Sequence, residues 1–456
     1  MRKFLFLALF LFCAVPTAMS QPTSIEGYWE GAAVRDGTVR IIRLEIFKDG
    51  ANLRCRIEMP DFLNFAFPPL PVQQNGDKIM LRLPMTGEFL LTPDAQFGEL
   101  RGAFSGRQAL PITIHLKRAV KPADGVVREE VRFTNGDLTL AGTLIKPVTA
   151  GPHPVVVWLS GRGSAVRQNS PTQRLLAERG IASLIYDKRG SGQSTGNFAK
   201  ATFDELVSDA IAAVAFLAQH KDINAKQIGL SGQSAGGWVA PVVATQSKTP
   251  VAFVITTVGP AENLYDQQAH AYQYYVRTGG FELTKEETEL TDDHIRKRLR
   301  FAFKNEGREE FLASAEKIKG TRMERYLLDT EANDAADFDW LRRNDCDPAP
   351  HLKKIKAPWL AFYGTRDYIV PPAENTKKLE QYLTEAGNKD FKIVVLENAD
   401  HSMVTPNTNR RESADANAKT QFTWGRTPPE LTQIMLDWLL ARVIVATYNH
   451  NLNQPK

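Results

Sequence analysis

The chain has 456 residues, of which 43% are hydrophobic and 24% are charged, and its formal net charge is +4 at pH 7. This length is sufficient for two or three domains with a large core. Acidic and basic residues are interleaved without a basic block or a basic-aromatic stripe, so nucleic acid is not an expected partner.

Residues 1–20 predict a signal peptide. Two basic residues, Arg2 and Lys3, precede the apolar run 4–15, and small residues follow before an expected cleavage point ahead of Gln21. The apolar run is too short for a membrane span, and no later segment approaches that length. We therefore expect a periplasmic or secreted protein with no integral membrane span.

Residues 21–122 predict an N-terminal all-β domain, either a small barrel or a sandwich. Apolar residues alternate with polar ones over 42–46 and 53–59, the period of a half-buried strand. Further strands are expected at 79–83, 100–104 and 112–116. We expect an accessory domain, with carbohydrate or partner binding as the alternative. Its Cys55 and the later Cys346 are expected to be separate thiols, although a disulfide between them stays open.

Residues 123–456 predict a catalytic α/β domain. Short apolar strands alternate with helical patterns, which is typical of a mostly parallel sheet covered by helices on both faces. The expected strands are 127–133, 138–145, 155–159, 181–186, 228–230, 251–257, 359–363 and 392–396, and the expected helices are 172–179, 203–220, 373–386 and 428–446. The charged segment 262–345 interrupts the alternation and includes a capping-box pattern that begins at Thr284. We interpret this segment as a helical cap.

A G-x-S-x-G motif occupies residues 232–236, between an apolar strand and a helical segment. In this context the motif predicts a nucleophile elbow with Ser234 at its tip. Glycine is needed two residues on either side, because a serine in a strained turn leaves no room for neighbouring Cβ atoms. Ser234 is therefore the predicted nucleophile.

A serine hydroxyl needs a base, and the base needs an acid that fixes its tautomer. His401 is the predicted base, because it follows the strand 392–396 by a short loop, at the edge of the sheet where ligands bind in such folds. Asp367 is the predicted acid, since it follows the neighbouring strand 359–363. Asp400 is a competitor that we interpret as a loop-shaping residue, and Asp345 and Asp347 are weaker alternatives.

The oxyanion of an acyl-transfer reaction needs backbone donors. We predict the N–H of Ala235, which follows the nucleophile, and the N–H of Arg162, in the glycine-containing loop 160–163 after the strand 155–159. The glycines of this loop do not have the spacing of a phosphate or dinucleotide motif, and neither do those of 187–194. We expect no cofactor and no metal.

From about residue 126 onwards the chain resembles the α/β-hydrolase superfamily, in particular the bacterial branch of serine aminopeptidase-like and prolyl-oligopeptidase-like hydrolases and small esterases. The segments that carry the resemblance are 160–163, 187–194, 232–236, 364–367 and 400–401. The resemblance implies an α/β-hydrolase fold and a Ser234, Asp367 and His401 triad. One departure concerns the oxyanion loop, which often begins with His-Gly in this superfamily and begins here with Ser160.

The leading hypothesis is an exported serine hydrolase that cleaves carboxylic esters through an acyl-enzyme. The first alternative is a serine peptidase or aminopeptidase with the same triad, in which Glu262, Glu286 or Glu287 of the insertion would capture a peptide terminus. The second is a non-catalytic binding protein on a hydrolase scaffold. The expected partner is accordingly a small acyl ester or a short peptide.

Overall fold

The computed structural model describes residues 24–35, 38–60, 69–83, 87–106, 112–163, 165–167, 170–277, 282–328, 335–405 and 426–445. The predicted signal peptide lies outside the described residues. The chain divides into two compact units, which we call the barrel unit (Met1–Arg56 with Pro69–Lys121) and the sheet unit (Ile57–Pro68 with Pro122–Lys456). In the described part of the chain, no helix has both the length and the apolar character that a membrane crossing requires.

The barrel unit is a closed β-barrel, one of the two architectures that the alternating pattern predicts. Its strands are β1 (Gly27–Arg35), β2 (Thr38–Asp49), β3 (Asn52–Glu58), β4 (Leu70–Asn75), β5 (Lys78–Leu83), β6 (Gly87–Pro93), β7 (Glu99–Gly106) and β8 (Ile112–Ala119). The barrel closes because β1 pairs in antiparallel fashion with both β2 and β8. Ile42, Leu44 and Ile46 of β2 are buried, as the period of two predicts.

The sheet unit is built on an eight-stranded mixed sheet. Its strands are β9 (Val126–Asn135), β10 (Leu138–Pro147), β11 (His153–Leu159), β12 (Ala182–Tyr186), β13 (Ile223–Gln233), β14 (Phe253–Thr257), β15 (Trp359–Gly364) and β16 (Phe391–Leu396). The order across the sheet is β9, β10, β12, β11, β13, β14, β15, β16. Only β10 runs against its neighbours, and the strands from β12 to β16 are parallel.

Helices cover both faces of this sheet. They are α1 (Pro171–Ala177), α2 (Phe203–Ala218), α3 (Gly236–Gln246), α9 (Ala349–Leu352), α10 (Pro372–Glu385) and α11 (Pro429–Leu440). Val155 and Val157 of β11 pack in the cluster that contains α2, α3 and α10, whereas Val156 packs with α1 and α11. All three valines are fully buried, which explains why the strand is apolar without alternation.

The predicted insertion is helical. It contains α4 (Leu264–Arg277), α5 (Lys285–Lys304), α6 (Arg308–Ile318), α7 (Glu324–Leu327) and α8 (Ala335–Arg343). The expected capping box begins α5, where the Thr284 side chain accepts a hydrogen bond from the Glu287 N–H. Cys346 follows the insertion and is a free thiol, as is the buried Cys55 of the barrel unit.

Candidate active site

Ser234 occupies a sharp turn between β13 and α3. Its φ of 51° lies in the left-handed region, which is uncommon for a residue with a side chain and typical of a strained functional turn. A Cβ on Gly232 would overlap the backbone of Gly236, and a Cβ on Gly236 would overlap the carbonyl of Leu159. Both glycines are therefore required by close backbone approach, which is the steric reason that the motif suggests.

The structure brings Ser234, His401 and Asp367 together at one edge of the sheet. Ser234 follows β13, Asp367 follows β15 and His401 follows β16, so all three lie beyond the carboxyl ends of parallel strands. His401 Nε2 is 2.9 Å from Ser234 Oγ, and His401 Nδ1 is 2.9 Å from Asp367 Oδ2. The three side chains thus form a continuous chain of hydrogen bonds.

The partners of Asp367 determine how the ring of His401 is protonated. Asp367 is buried, and its Oδ1 accepts the backbone N–H groups of Ile369 and Val370, each at 2.9 Å. A carboxylate can only accept hydrogen bonds, so Nδ1 of His401 carries the proton that faces Oδ2. The lone pair of Nε2 therefore faces Ser234 Oγ, which is the arrangement that a general base requires.

Asp400 has a different role from Asp367. Its Oδ1 accepts the N–H groups of Ser402 and Val404, at 2.9 and 3.0 Å, so the carboxylate shapes the loop that contains His401. Burial raises the pKa of the Asp400 carboxyl above its ordinary value. This loop-shaping arrangement agrees with the interpretation of Asp400 from its position next to His401.

The two predicted oxyanion donors lie on segments adjacent to Ser234. Ala235 directly precedes α3, where backbone N–H groups point away from the helix without an intrahelical acceptor. Residues 160–163 follow β11 and are called the oxyanion loop below. A Cβ on Gly161 of this loop would lie 3.2 Å from Ser234 Cβ and 3.7 Å from its Oγ, so the loop backbone closely approaches the nucleophile.

The side chains of Arg162 and Lys188 anchor the oxyanion loop. Arg162 forms an ion pair with Asp337 of α8, and its guanidinium lies 4.0 Å from the centroid of the Trp340 ring. Lys188 Nζ donates to the carbonyl oxygens of Gly161 and Gly163. Burial lowers the pKa of Lys188 to about 8. No motif in the sequence singles out Lys188, although the residue lies in the segment 187–194 that carries the family resemblance.

A small cavity lies between the oxyanion loop and the start of α3. Its volume is about 40 Å³. This is enough for roughly three water molecules, since the centre of each needs about 10–15 Å³. Most of the large side chains that line it are apolar or aromatic, namely Leu159, Tyr186, Phe198, Phe203, Leu206, Trp238 and Trp340, and its polar lining includes Arg162, Lys188, Asp209 and Asn344. The cavity therefore offers a mainly apolar surface next to Ser234.

The glutamates considered for capture of a peptide terminus differ in their surroundings. Glu262 is fully buried, and its carboxylate lies 2.9 Å from His270 Nδ1 and 3.2 Å from Lys378 Nζ. Glu287 forms an ion pair with Arg322 and caps α5, and these contacts lower its pKa to about 2. Glu286 is exposed in the first turn of α5.

One group of three side chains in the described part of the chain has the spacing of a metal site. It consists of Glu129, His220 and Asp222. Lys146 Nζ lies 2.6 Å from a carboxylate oxygen of both Glu129 and Asp222, so one ammonium already pairs with both of these groups. We call these four residues the Lys146 cluster.

Comparison with known proteins identifies hydrolases. A family model described as X-Pro dipeptidyl-peptidase (S15 family) matches residues 136–403. Esterase EstD of Thermotoga maritima is 26% identical over 331 residues, which cover 69% of this chain and 69% of that protein. Among solved structures, the Pyrococcus furiosus esterase Pf2001 is 18% identical with a TM-score of 0.43, covering 70% of this chain and 92% of its own. The 2,6-dihydroxy-pseudo-oxynicotine hydrolase is also 18% identical with a TM-score of 0.43, covering 71% of this chain and 70% of its own.

Proposed function

Because the chain belongs to the X-Pro dipeptidyl-peptidase (S15) family and is a hydrolase of the α/β-hydrolase superfamily, we propose that it cleaves carboxylic esters with Ser234 as the nucleophile. The observation that carries this proposal is the continuous hydrogen-bond chain from Ser234 through His401 to Asp367. Similarity to an esterase over most of the chain supports an ester as the substrate.

In the proposed reaction, Ser234 Oγ attacks the ester carbonyl carbon while His401 Nε2 accepts the hydroxyl proton. Asp367 stabilises the imidazolium that results. The N–H groups of Ala235 and Arg162 donate to the oxyanion of the tetrahedral intermediate. Collapse of the intermediate breaks the ester C–O bond, His401 protonates the leaving alcohol, and an acyl-enzyme remains. Water, activated by His401, then releases the acid.

Labelling with a fluorophosphonate tests the nucleophile. We expect the wild type to be labelled at Ser234, as located by mass spectrometry of the tryptic peptide, and to release a burst of nitrophenol from a nitrophenyl ester. The Ser234→Ala variant should show neither signal. Labelling or ester turnover that persists in this variant would exclude Ser234 as the nucleophile.

The cavity beside Ser234 suggests which part of the ester it accommodates. The leaving alcohol must lie on the side of His401, because this residue protonates it. The described residues that line the cavity include Gly161, Arg162 and Ala235, which lie next to Ser234, but neither Ser234 itself nor His401. We therefore assign the cavity to the acyl group. Its mainly apolar walls favour an uncharged acyl chain, and its small volume favours a short one.

A series of nitrophenyl esters tests the acyl assignment. We expect the butyrate to exceed the octanoate in kcat/KM by at least about tenfold in the wild type, since misfit of even one methylene costs about 10-fold or more in such pockets. Leu206→Ala enlarges the cavity and should move the preference towards longer chains. Leu436→Ala is the matched control, because Leu436 is a half-buried residue of α11 that does not line the cavity. Equal profiles for the two variants would contradict the assignment.

A peptidase activity is the second candidate, because the matching family model describes a peptidase. Such an activity needs a group that binds the free amino terminus of the substrate. Glu262 and Glu287 are engaged by cationic side chains, which does not favour them for this role. Esters and aminoacyl-proline amides with matched nitrophenol and nitroaniline leaving groups separate the two candidates. Higher kcat/KM for the amides would favour the peptidase.

Two further proposals concern the predicted signal peptide and the helical insertion. We propose export, supported by the signal-peptide pattern, and expect a mature protein that begins at Gln21. Mass spectrometry of the exported fraction tests this, and an uncleaved chain retained in the cytoplasm would contradict it.

We also propose that the helical insertion 262–345 covers the site as a cap. The contacts of Asp337 and Trp340 with Arg162 support this proposal. Fluorophosphonate labelling should slow proteolysis within the insertion relative to cleavage elsewhere in the chain. Equal protection throughout the chain would argue against a cap.

A further inference from the structure

Lys188 forms hydrogen bonds to two carbonyl groups of the oxyanion loop. Its Nζ donates to the oxygen of Gly161 and, at 3.1 Å, to the oxygen of Gly163. The ammonium also lies 5.3 Å from the centroid of the Phe198 ring. The two carbonyls flank Arg162, whose N–H is the predicted second oxyanion donor.

The geometry of a peptide group connects these contacts to that donor. The Gly161 carbonyl and the Arg162 N–H belong to the same planar peptide group, and in a trans peptide they point in opposite directions. Among the described peptide bonds, only the one between Gly151 and Pro152 is cis. Directing the Gly161 carbonyl towards Lys188 Nζ therefore turns the Arg162 N–H to the opposite side.

The loop needs such a restraint. Gly161 and Gly163 have no side chains to restrict their backbone, and Gly163 has a φ of 98°, which glycine adopts readily. The ion pair between Arg162 and Asp337 fixes the end of a long side chain, several bonds away from the adjacent peptide group. Lys188 contacts the peptide groups themselves.

We infer that Lys188 is a positioning residue that orients the Arg162 N–H towards the oxyanion of the tetrahedral intermediate. Oxyanion donors act because they are fixed before the charge develops, so a loop that rotates loses this contribution. This inference rests on the proposed function, since it assumes acyl transfer at Ser234. It assigns a role in the reaction to the segment 187–194, which contains Lys188.

Lys188→Met tests the inference, because methionine retains an unbranched apolar stem but has no donor. We expect kcat for nitrophenyl butyrate to fall by about 10–100-fold, less than the loss on deleting a whole oxyanion donor, while KM changes less than about threefold. Inhibition by butylboronic acid, which forms a tetrahedral adduct with a reactive serine, should weaken by the same factor as kcat/KM. Lys188→Arg, which keeps N–H donors, should recover part of the activity.

Lys146→Met is the matched control. Lys146 is also a largely buried lysine with two hydrogen-bonded oxygen partners, but these are the carboxylates of Glu129 and Asp222. Its substitution should leave kcat and boronate inhibition within about twofold of the wild type. If Lys188→Met does not fold, Lys188→Gln replaces it, since glutamine keeps a polar end but reaches less far.

The possible results separate this inference from the proposed function. If the wild type neither hydrolyses esters nor reacts with fluorophosphonate, the proposed function is wrong and the inference falls with it. If the wild type is active and Lys188→Met keeps kcat within about twofold, only the inference is wrong. A variant whose KM rises while kcat and boronate inhibition stay unchanged would also overturn it, because that pattern indicates substrate binding rather than oxyanion stabilisation.

Discussion

Two clusters of the sheet unit combine a histidine with acidic side chains, but their hydrogen-bond patterns are opposite. In the proposed triad, His401 Nδ1 faces Asp367 and Nε2 faces Ser234 Oγ. In the Lys146 cluster, His220 Nδ1 accepts the backbone N–H of Asp222 at 3.3 Å, and its Nε2 lies 3.3 Å from Glu129. The neutral ring of His220 therefore carries its proton on Nε2 and has no lone pair left for a substrate.

This difference shows that residue types alone do not define a catalytic site. Both histidines have a carboxylate partner, but only His401 keeps a ring nitrogen that can accept a proton from a hydroxyl. In the Lys146 cluster, the ammonium of Lys146 pairs with both carboxylates, and we expect these contacts to stabilise the fold. The comparison predicts that substitutions in the triad abolish turnover and that substitutions in the Lys146 cluster change stability.

The largest effect is expected for Ser234→Ala. Without the nucleophile, kcat for nitrophenyl butyrate should fall by about 10⁴-fold or more, because residues of such a triad act as a unit. Glu129→Gln is the control from the other cluster and should keep kcat within about twofold. A Ser234→Ala variant with more than a few per cent of wild-type turnover would contradict the assignment of Ser234 as the nucleophile, on which the contrast between the two clusters depends.

The next largest effect is expected for Asp367→Asn. An asparagine amide can donate to Nδ1, so His401 would place its proton on Nε2 and resemble His220. We expect kcat to fall by about 10³–10⁴-fold with the fold intact. Asp400→Asn is the matched control, and we expect a loss of less than about tenfold, because Asp400 contacts backbone N–H groups and not the ring. Similar losses in both variants would contradict the assignment of Asp367.

The sequence predicts the elements of the site because their signals are local. The run 155–159 is apolar since both of its faces are buried, and the glycines of 232–236 follow from close backbone contacts. Strand β13 is longer than its predicted core 228–230, because three of the four residues 224–227 are polar and all four are only partly buried or exposed. Local patterns identify the buried centre of an element better than its ends.

Features that depend on distant contacts could not be predicted in this way. The alternation of apolar residues fits a sandwich as well as a barrel, and only the pairing of β1 with β8 distinguishes them. The contacts of Lys188 join residues 25 and 27 positions apart, which no motif in either segment specifies. The catalytic roles of Ser234, Asp367, His401, Ala235 and Arg162 stay predictions.

Lys146→Met should affect stability and not turnover. It leaves two carboxylates without their cationic partner, and we expect the free energy of unfolding at pH 7 to decrease by about 1–2 kcal/mol, because both carboxylates are partly exposed to solvent. Urea denaturation followed by circular dichroism measures this change. An unchanged midpoint would mean that water replaces the ammonium without cost.

The contribution of the Lys146 contacts with Glu129 and Asp222 to stability should depend on pH. The hydrogen bond from Lys146 lowers the pKa of Glu129 below its ordinary value of 4.5 and that of Asp222 below 3.8. A carboxylate with a lowered pKa stabilises the fold above its unfolded pKa, and this contribution is lost as the pH falls through the folded pKa. The difference in stability between wild type and Lys146→Met should therefore be constant from about pH 6 to pH 8 and shrink below about pH 4.5. A stability difference that is as large at pH 3 as at pH 7 would instead indicate packing of the lysine stem.

The smallest effect is expected for His220→Gln. The glutamine amide can donate to Glu129 as Nε2–H of the histidine does, and Lys146 still pairs with both carboxylates, so little is lost. We expect kcat within about twofold and a change in unfolding free energy below about 1 kcal/mol. His401→Gln has the same change of side chain but removes the proposed base, and its kcat should fall by about 10⁴-fold or more. Comparable turnover in these two variants would show that the tautomer of the ring does not separate the two clusters.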